Sequence, residues 1–185
     1  MSRTEIRLTG FGGQGIILAG YILGKAAALY DGKYATFTQS YGPESRGGAC
    51  AAQVVLSDAP VQYPHLIDPS IVVIMSQEAY NKYAPSLHDG NLLLVDEDLV
   101  VLGPLPEGVK VYAIPATRIA ESEVGRKLVA NIVMLGFLTA VSGVVSEESM
   151  RRAVSESVPK GTEELNLKAF QAGLDYGRQV VGSAA

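Results

Sequence analysis

Cysteine is nearly missing from this chain: Cys50 stands alone among 185 residues. An internal disulfide is excluded, and the chain cannot supply a cysteine cluster for zinc or an iron–sulfur centre. Histidine is as scarce, with only His65 and His88, which argues against a self-contained histidine metal site. Charge is low too, at 18% charged residues and a net charge of −4. The longest basic clusters are the pairs Arg126-Lys127 and Arg151-Arg152. That is too little for an extended nucleic-acid footprint. The opening residues, MSRTEIRLTG, lack the apolar region of a signal peptide. One uncharged run, Leu128 to Val145, touches the length of a membrane span, but Asn131, Gly136, Thr139, Ser142 and Gly143 interrupt it. The expectation is a helix buried in a core or subunit interface, within a cytoplasmic protein that has no nucleic-acid or membrane partner.

What is abundant is apolar material, at 48% of residues. This suits one sizeable core, and no linker divides the chain, so residues 1–185 read as a single domain. Glu5 to Thr9 alternates apolar and polar residues, which predicts a short strand. Gly15 to Tyr30 predicts a helix rich in small residues, ended by the turn signal Asp31-Gly32. Tyr34 to Ser40 and Ala49 to Ser57 read as strands. The gap between them is too short for a helical crossover, so they predict an antiparallel hairpin with a long tip. Ser70 to Ser76, Asn91 to Asp98 and Lys110 to Thr117 predict three further strands, read as the continuous apolar runs of strands buried on both faces. The segment QEAYNKYAPSL predicts a short helix between the first two. The last third reads as helical, with Ser146 as an N-cap and Leu167, Phe170, Leu174 and Val181 forming an apolar stripe. The sum is a three-layer α/β/α domain, Rossmann-like, with a mostly parallel sheet and one hairpin.

The stretch TGFGGQG holds four glycines in the six residues from Gly10 to Gly15. Gly10, Gly12 and Gly15 fit G-x-G-x-x-G between a strand and a helix, where unsatisfied amides and the helix dipole favour an anion. A tight structural turn is the competing reading. A dinucleotide loop also needs an acid at the end of the second strand. That strand ends in Gln39-Ser40-Tyr41, and Asp31 precedes it at the wrong end. No Lys-Ser/Thr pair makes a nucleotide P-loop either.

The second loop, YGPESRGG, spans Tyr41 to Gly48. Its Arg46 offers a planar fork for phosphate or carboxylate. The alternative is that Glu44 and Arg46 pair with each other. In a parallel sheet this tip and the glycine loop share the carboxyl edge, where ligands bind in open α/β sheets.

Together GFGGQG and TQSYGPESRGG, with VVIMSQEAYNKY, VANIVMLGFL and VPKGTEELNLKAF, resemble the gamma subunit of 2-oxoacid:ferredoxin oxidoreductases over nearly the whole chain. The SYGPESRGG variant looks closest to subunits of the 2-oxoglutarate-using enzymes. The resemblance implies the gamma-domain fold of pyruvate:ferredoxin oxidoreductase. It implies a complex that decarboxylates a 2-oxoacid to an acyl-CoA and reduces ferredoxin. Thiamine diphosphate, magnesium and iron–sulfur clusters would then lie in partner chains: alpha and beta thiamine-enzyme subunits and a ferredoxin-like subunit. This chain would be structural and non-catalytic alone, contributing to a shared coenzyme A site. On that reading Gly12, Gly13, Gln14 and Gly15 wall the cleft. Arg46, with Tyr41 and Ser45, contacts coenzyme A phosphates or a partner carboxylate, and Gly47 and Gly48 give the backbone room. Asn131 bonds a loop backbone or a partner, or is simply a satisfied core amide. Cys50 packs as a small buried hydrophobe. The alternatives are the small subunit of an indolepyruvate oxidoreductase, a stand-alone Rossmann-like nucleotide-binding oxidoreductase, and, for the isolated chain, a homodimer.

Overall fold

The computed structural model describes residues 2–41 and 48–184, and the side chain of Tyr41 is outside that description. Six strands form one mixed sheet: β1 (Arg3–Phe11), β2 (Tyr34–Tyr41), β3 (Ala49–Ser57), β4 (Ile71–Ile74), β5 (Leu92–Asp96) and β6 (Lys110–Ile114). The order is β2-β3-β1-β4-β5-β6. β1, β4, β5 and β6 run parallel. β3 is antiparallel to both β1 and β2. The sheet is therefore parallel except where the predicted hairpin inserts, and β2 again points the same way as β1. The hairpin puts β3, not β2, beside β1. A returning strand can pair directly with its predecessor, whereas a parallel one needs a crossover.

The helices are α1 (Ile16–Lys25), α2 (Gln77–Tyr83), α3 (Ala116–Ile119), α4 (Ala130–Ser142), α5 (Glu147–Ser157) and α6 (Glu163–Ala184). They cover the two sheet faces unequally. The larger apolar cluster joins the sheet to α1, α3, α4, α5 and α6. The smaller one draws its helical residues from α2 alone, with Ala79 and Tyr80 against Val72, Ile74, Leu93 and Val95. The expected three layers are present, but the helical layer on the α2 side is thin.

Local departures from the sequence reading have local causes. The first helix does not run unchanged to Tyr30. From Ala26 it widens into a π-type turn, with the Asp31 amide bonding the Ala26 carbonyl. Asp31 then accepts from the Ser146 amide and hydroxyl, each at 2.6 Å. Ser146 in turn caps α5 by accepting from the Ser149 amide at 3.2 Å. Asp31 thus ties the end of the first helix to the start of α5. The Leu128–Val145 run is broken by Gly143, which ends α4 with φ of 63°. Ten of its helical positions, from Ala130 to Thr139, are buried. No helix among the described residues is long and apolar enough to cross a membrane.

Candidate functional site

The carboxyl edge of the parallel strands carries the glycine loop, and the register brings the end of β2 and the start of β3 to the same edge. Tyr41 pairs with Cys50, and Cys50 with Gly10. Tyr41 and Gly48 therefore flank the second loop beside the first. Ser45, Arg46 and Gly47, with Glu44, lie outside the described residues.

Within the first loop the glycines divide into two kinds. A Cβ on Gly10 would sit 2.2 Å from Gln14 Oε1 and 2.8 Å from Ile16 Cδ1. One on Gly15 would sit 2.3 Å from Asn131 Nδ2. Gly15 also has φ of 74°, a conformation that side chains disfavour. Here the protein itself approaches the backbone. Gly12 and Gly13, by contrast, have nothing within 4 Å of an added Cβ. Their outer face is open.

Gln14 is held in place by bonds at both ends of its side-chain amide. Its Oε1 accepts from the Phe11 amide at 2.9 Å, and its Nε2 donates to the Met75 carbonyl at 2.7 Å. The loop is so bolted to the end of β4. Asn131 is in the first turn of α4. Its Nδ2 donates to the Gly15 carbonyl at 3.0 Å, and its Oδ1 accepts from the Ile132 amide at 2.9 Å. The buried amide thus bonds a loop backbone, one of the roles foreseen for it. Asp31 sits before β2, at the amino edge, engaged by Ser146 and Ser149. It is not a ribose-binding acid at the glycine loop. Cys50 is 5% exposed, and burial pushes its thiol up, away from thiolate reactivity.

A cavity of about 410 Å³ opens between the ends of β1 and β4. This is the point where the connections diverge: from β1 the chain goes to the hairpin on one side, and β4 lies on the other. Phe11, Gly13, Gln14 and Met75 form one wall, and Leu99, Thr117, Lys127 and Leu128 the other. The lining is mostly apolar, with a single cation. A second cavity of about 220 Å³ shares Gly13 and Leu128 and adds Gly15, Arg126 and Asn131. Gly13 lines both cavities, with Lys127 in the wall of one and Arg126 in the wall of the other. A larger hollow, about 490 Å³ between Tyr80 and Pro106, has no charged lining residue.

Asp96, at the end of β5, is fully buried behind this wall. It accepts from the Thr117 amide at 3.0 Å, from the Thr117 hydroxyl at 2.6 Å and from the Asp98 amide at 3.1 Å. Burial raises its pKa and these bonds oppose the rise. Both oxygens are occupied, so Asp96 holds Thr117 in the cavity wall and is not free to act as a base. The cavity can bind an anionic ligand that has an apolar portion. It lacks a nucleophile–base pair among its lining residues.

Sequence reading missed Arg126, Lys127, Asp96 and Thr117. Arg126-Lys127 was visible only as a basic pair. Its meaning comes from Asn131, a few residues on, which docks the start of α4 against the glycine loop.

The pyruvate ferredoxin/flavodoxin oxidoreductase family matches residues 5–176. The 2-oxoglutarate synthase subunit KorC of Methanocaldococcus jannaschii is 57% identical over 179 residues, covering 96% of each chain. The gamma subunit of a keto/oxoacid ferredoxin oxidoreductase from Geobacter sulfurreducens superposes with a TM-score of 0.84 at 45% identity, covering 94% of this chain and 98% of that one. A 2-oxoglutarate:ferredoxin oxidoreductase from Magnetococcus marinus, solved with 2-oxoglutarate, coenzyme A and succinyl-CoA bound, matches with a TM-score of 0.85. It covers 97% of this chain and 32% of that longer one, and at 24% identity it speaks for the fold alone. With a family match across most of the chain and a relative more than half identical from end to end, this chain belongs to the pyruvate ferredoxin/flavodoxin oxidoreductase family.

Proposed function

We propose that this chain is the gamma subunit of a cytoplasmic 2-oxoglutarate:ferredoxin oxidoreductase, non-catalytic alone and contributing one wall of a coenzyme A site. The observation that carries the substrate is the 57% identity to a 2-oxoglutarate synthase subunit over nearly the full length of both chains. The complex would convert 2-oxoglutarate and coenzyme A to succinyl-CoA and carbon dioxide, passing two electrons to ferredoxin. Thiamine diphosphate, magnesium and iron–sulfur clusters are assigned to the alpha, beta and ferredoxin-like partners. A lone cysteine in this sequence accords with that assignment.

The residues at the carboxyl edge fit coenzyme A. The cavity volume of about 410 Å³ is within the range of small-molecule sites. Its apolar wall suits an uncharged arm, and Lys127, Arg126 and the open backbone at Gly12-Gly13 suit phosphates. Bound coenzyme A supplies the thiol that accepts the acyl group. This chain's own work is to hold the phosphates, to exclude water with Phe11, Met75 and Leu128, and to orient the ligand. Arg46, outside the described residues, is assigned to the same set on the family resemblance of its loop.

The test is assembly followed by assay. The tagged chain is purified from its native cells and the bound chains are identified by mass. The complex is then assayed with 2-oxoglutarate, pyruvate and branched 2-oxoacids. Preference for a different 2-oxoacid sinks the substrate assignment. Lys127→Ala and Arg46→Ala are each expected to raise the KM for coenzyme A several-fold, and Lys127→Ala should leave the melting temperature nearly unchanged because Lys127 is exposed. An unchanged KM in both variants removes them from the site.

A further inference from the structure

The thinly covered sheet face carries a row of polar side chains that the glycine-loop site does not use. Thr38 on β2 pairs with Gln53 on β3, and Gln53 pairs with Arg7 on β1. Directly paired residues point to one face, so the three lie side by side across three strands. The row continues into Val72 on β4, which α2 covers. At the amino end the segment of residues 63–68 crosses the sheet. The Tyr63 and His65 carbonyls accept from Arg3, the Pro64 carbonyl accepts from Thr36, and the Ile67 and Asp68 amides donate to Glu5. The polar row lies between these two covers.

Arg7 is the unusual member. It is half-buried, its guanidinium stacks 4.9 Å from the centre of the Tyr83 ring, and its Nε is buried without a hydrogen bond. Among the described residues it makes no ion pair. Glu5, the nearest acid on its own strand, is fully engaged by Arg3 and by the amides of Ile67 and Asp68. Burial pulls the Arg7 guanidinium below its ordinary value. Beside it, Gln53 uses its Oε1 to accept from Thr38 at 3.3 Å, and its amide N–H groups donate to no side chain or backbone among the described residues. A planar fork, an amide and a ring that fixes the fork's plane match a carboxylate, which accepts two parallel N–H bonds. A partly desolvated cation without an ion pair is costly in a free chain and is compensated when an anion arrives.

We propose that the Thr38–Gln53–Arg7 row is a docking site for an Asp or Glu side chain of another subunit of the complex. This rests on the subunit reading above, but not on the coenzyme A site. Charge complementarity selects the occupant: the row presents donors and one cation, and no acid of its own.

Two variants test it, each in the purified complex and in the free chain. Arg7→Met removes the charge and keeps the stem. Gln53→Glu puts a carboxylate directly across from Arg7 and fills the site from within. Both complexes are expected to dissociate at least about tenfold faster than wild type, with reduced salt dependence. The free Gln53→Glu chain is expected to melt at or above the wild-type temperature, since it pairs the cation. A purely structural Arg7 would show the reverse: a lower melting temperature for Arg7→Met and unchanged dissociation of both complexes, which overturns the proposal. If a dimer of the free chain is dispersed by Gln53→Glu while the complex is untouched, the carboxylate belongs to a second copy, which also overturns it. A wild-type chain that purifies without other subunits overturns this site together with the subunit reading.

Discussion

At the scale of single residues, the glycine loop separates what the fold needs from what a ligand needs. Gly15 carries positive φ and lies against Asn131, so Gly15→Ala meets both backbone strain and a clash. The expected loss is about 2 kcal/mol or more, seen as a fall of roughly 4–8 °C in melting temperature. Gly12→Ala meets open space. It is expected to change stability by less than about 0.5 kcal/mol yet to raise the KM for coenzyme A, measured in the assembled complex. If both variants simply lose stability, the loop is only a turn. Asp31 gives a residue-scale pH dependence. Burial works to raise its pKa, but bonds from Ser146 and Ser149 outweigh burial and hold it below the usual carboxylate value. A depressed folded pKa means that its stabilisation is present above the unfolded value of about 3.9 and is lost as pH falls through the folded value. Asp31→Asn should therefore cost about 1 kcal/mol at pH 7 in urea unfolding, with the gap to wild type closing in acid below that range.

At the scale of elements, the α4–α6 crossing sets the larger core. A Cβ on Gly173 would lie 1.8 Å from the Val133 carbonyl oxygen, and one on Gly136 would lie 2.1 Å from that of Phe170. The two helices meet backbone to backbone. That approach lets Phe137, Phe170 and Leu174 bury almost completely. Gly173→Ala must push the helices apart and should cost about 3 kcal/mol, or roughly 6–12 °C by calorimetry. The apolar stripe of α6 was legible from its spacing, because a helical face repeats with the chain's own period. Its partner was not. Small residues that permit close approach look the same in sequence as small residues in a loose helix. The hairpin was legible too, since a gap of a few residues forbids a crossover. The choice of β1 as the third strand beside it was not, because several registers satisfy the same alternation.

At the scale of the whole molecule, the unequal covering of the sheet is the main feature. Five helices share one face, while α2 and a loop guard the other. The central strands β1 and β4 are flanked on both sides, and β2 and β6 are edges. Hydrogen exchange in the isolated chain should be slowest at Ile6, Leu8 and Val73, and fastest in β2. Assembly should then slow exchange at Thr38 and Gln53 if the polar row is covered by a partner. The carboxyl edge and the polar row lie on different parts of one sheet, so a ligand and a partner can be held at once.

What the sequence determined by itself was the class of fold, the order of most elements and the scarcity of thiolates. Each follows from local quantities: periodicity, turn residues and composition. The resemblance carried by its loops pointed to the family that the comparisons then supported. Tertiary structure alone decided which glycines face the protein and which face outward, that Gln14 and Asn131 clamp the loop, and that Arg126 and Lys127 flank it. It alone left Arg7 half-buried with no ion pair among the described residues. These depend on residues far apart in the chain meeting at one edge of a sheet, and no local pattern encodes the distance between them.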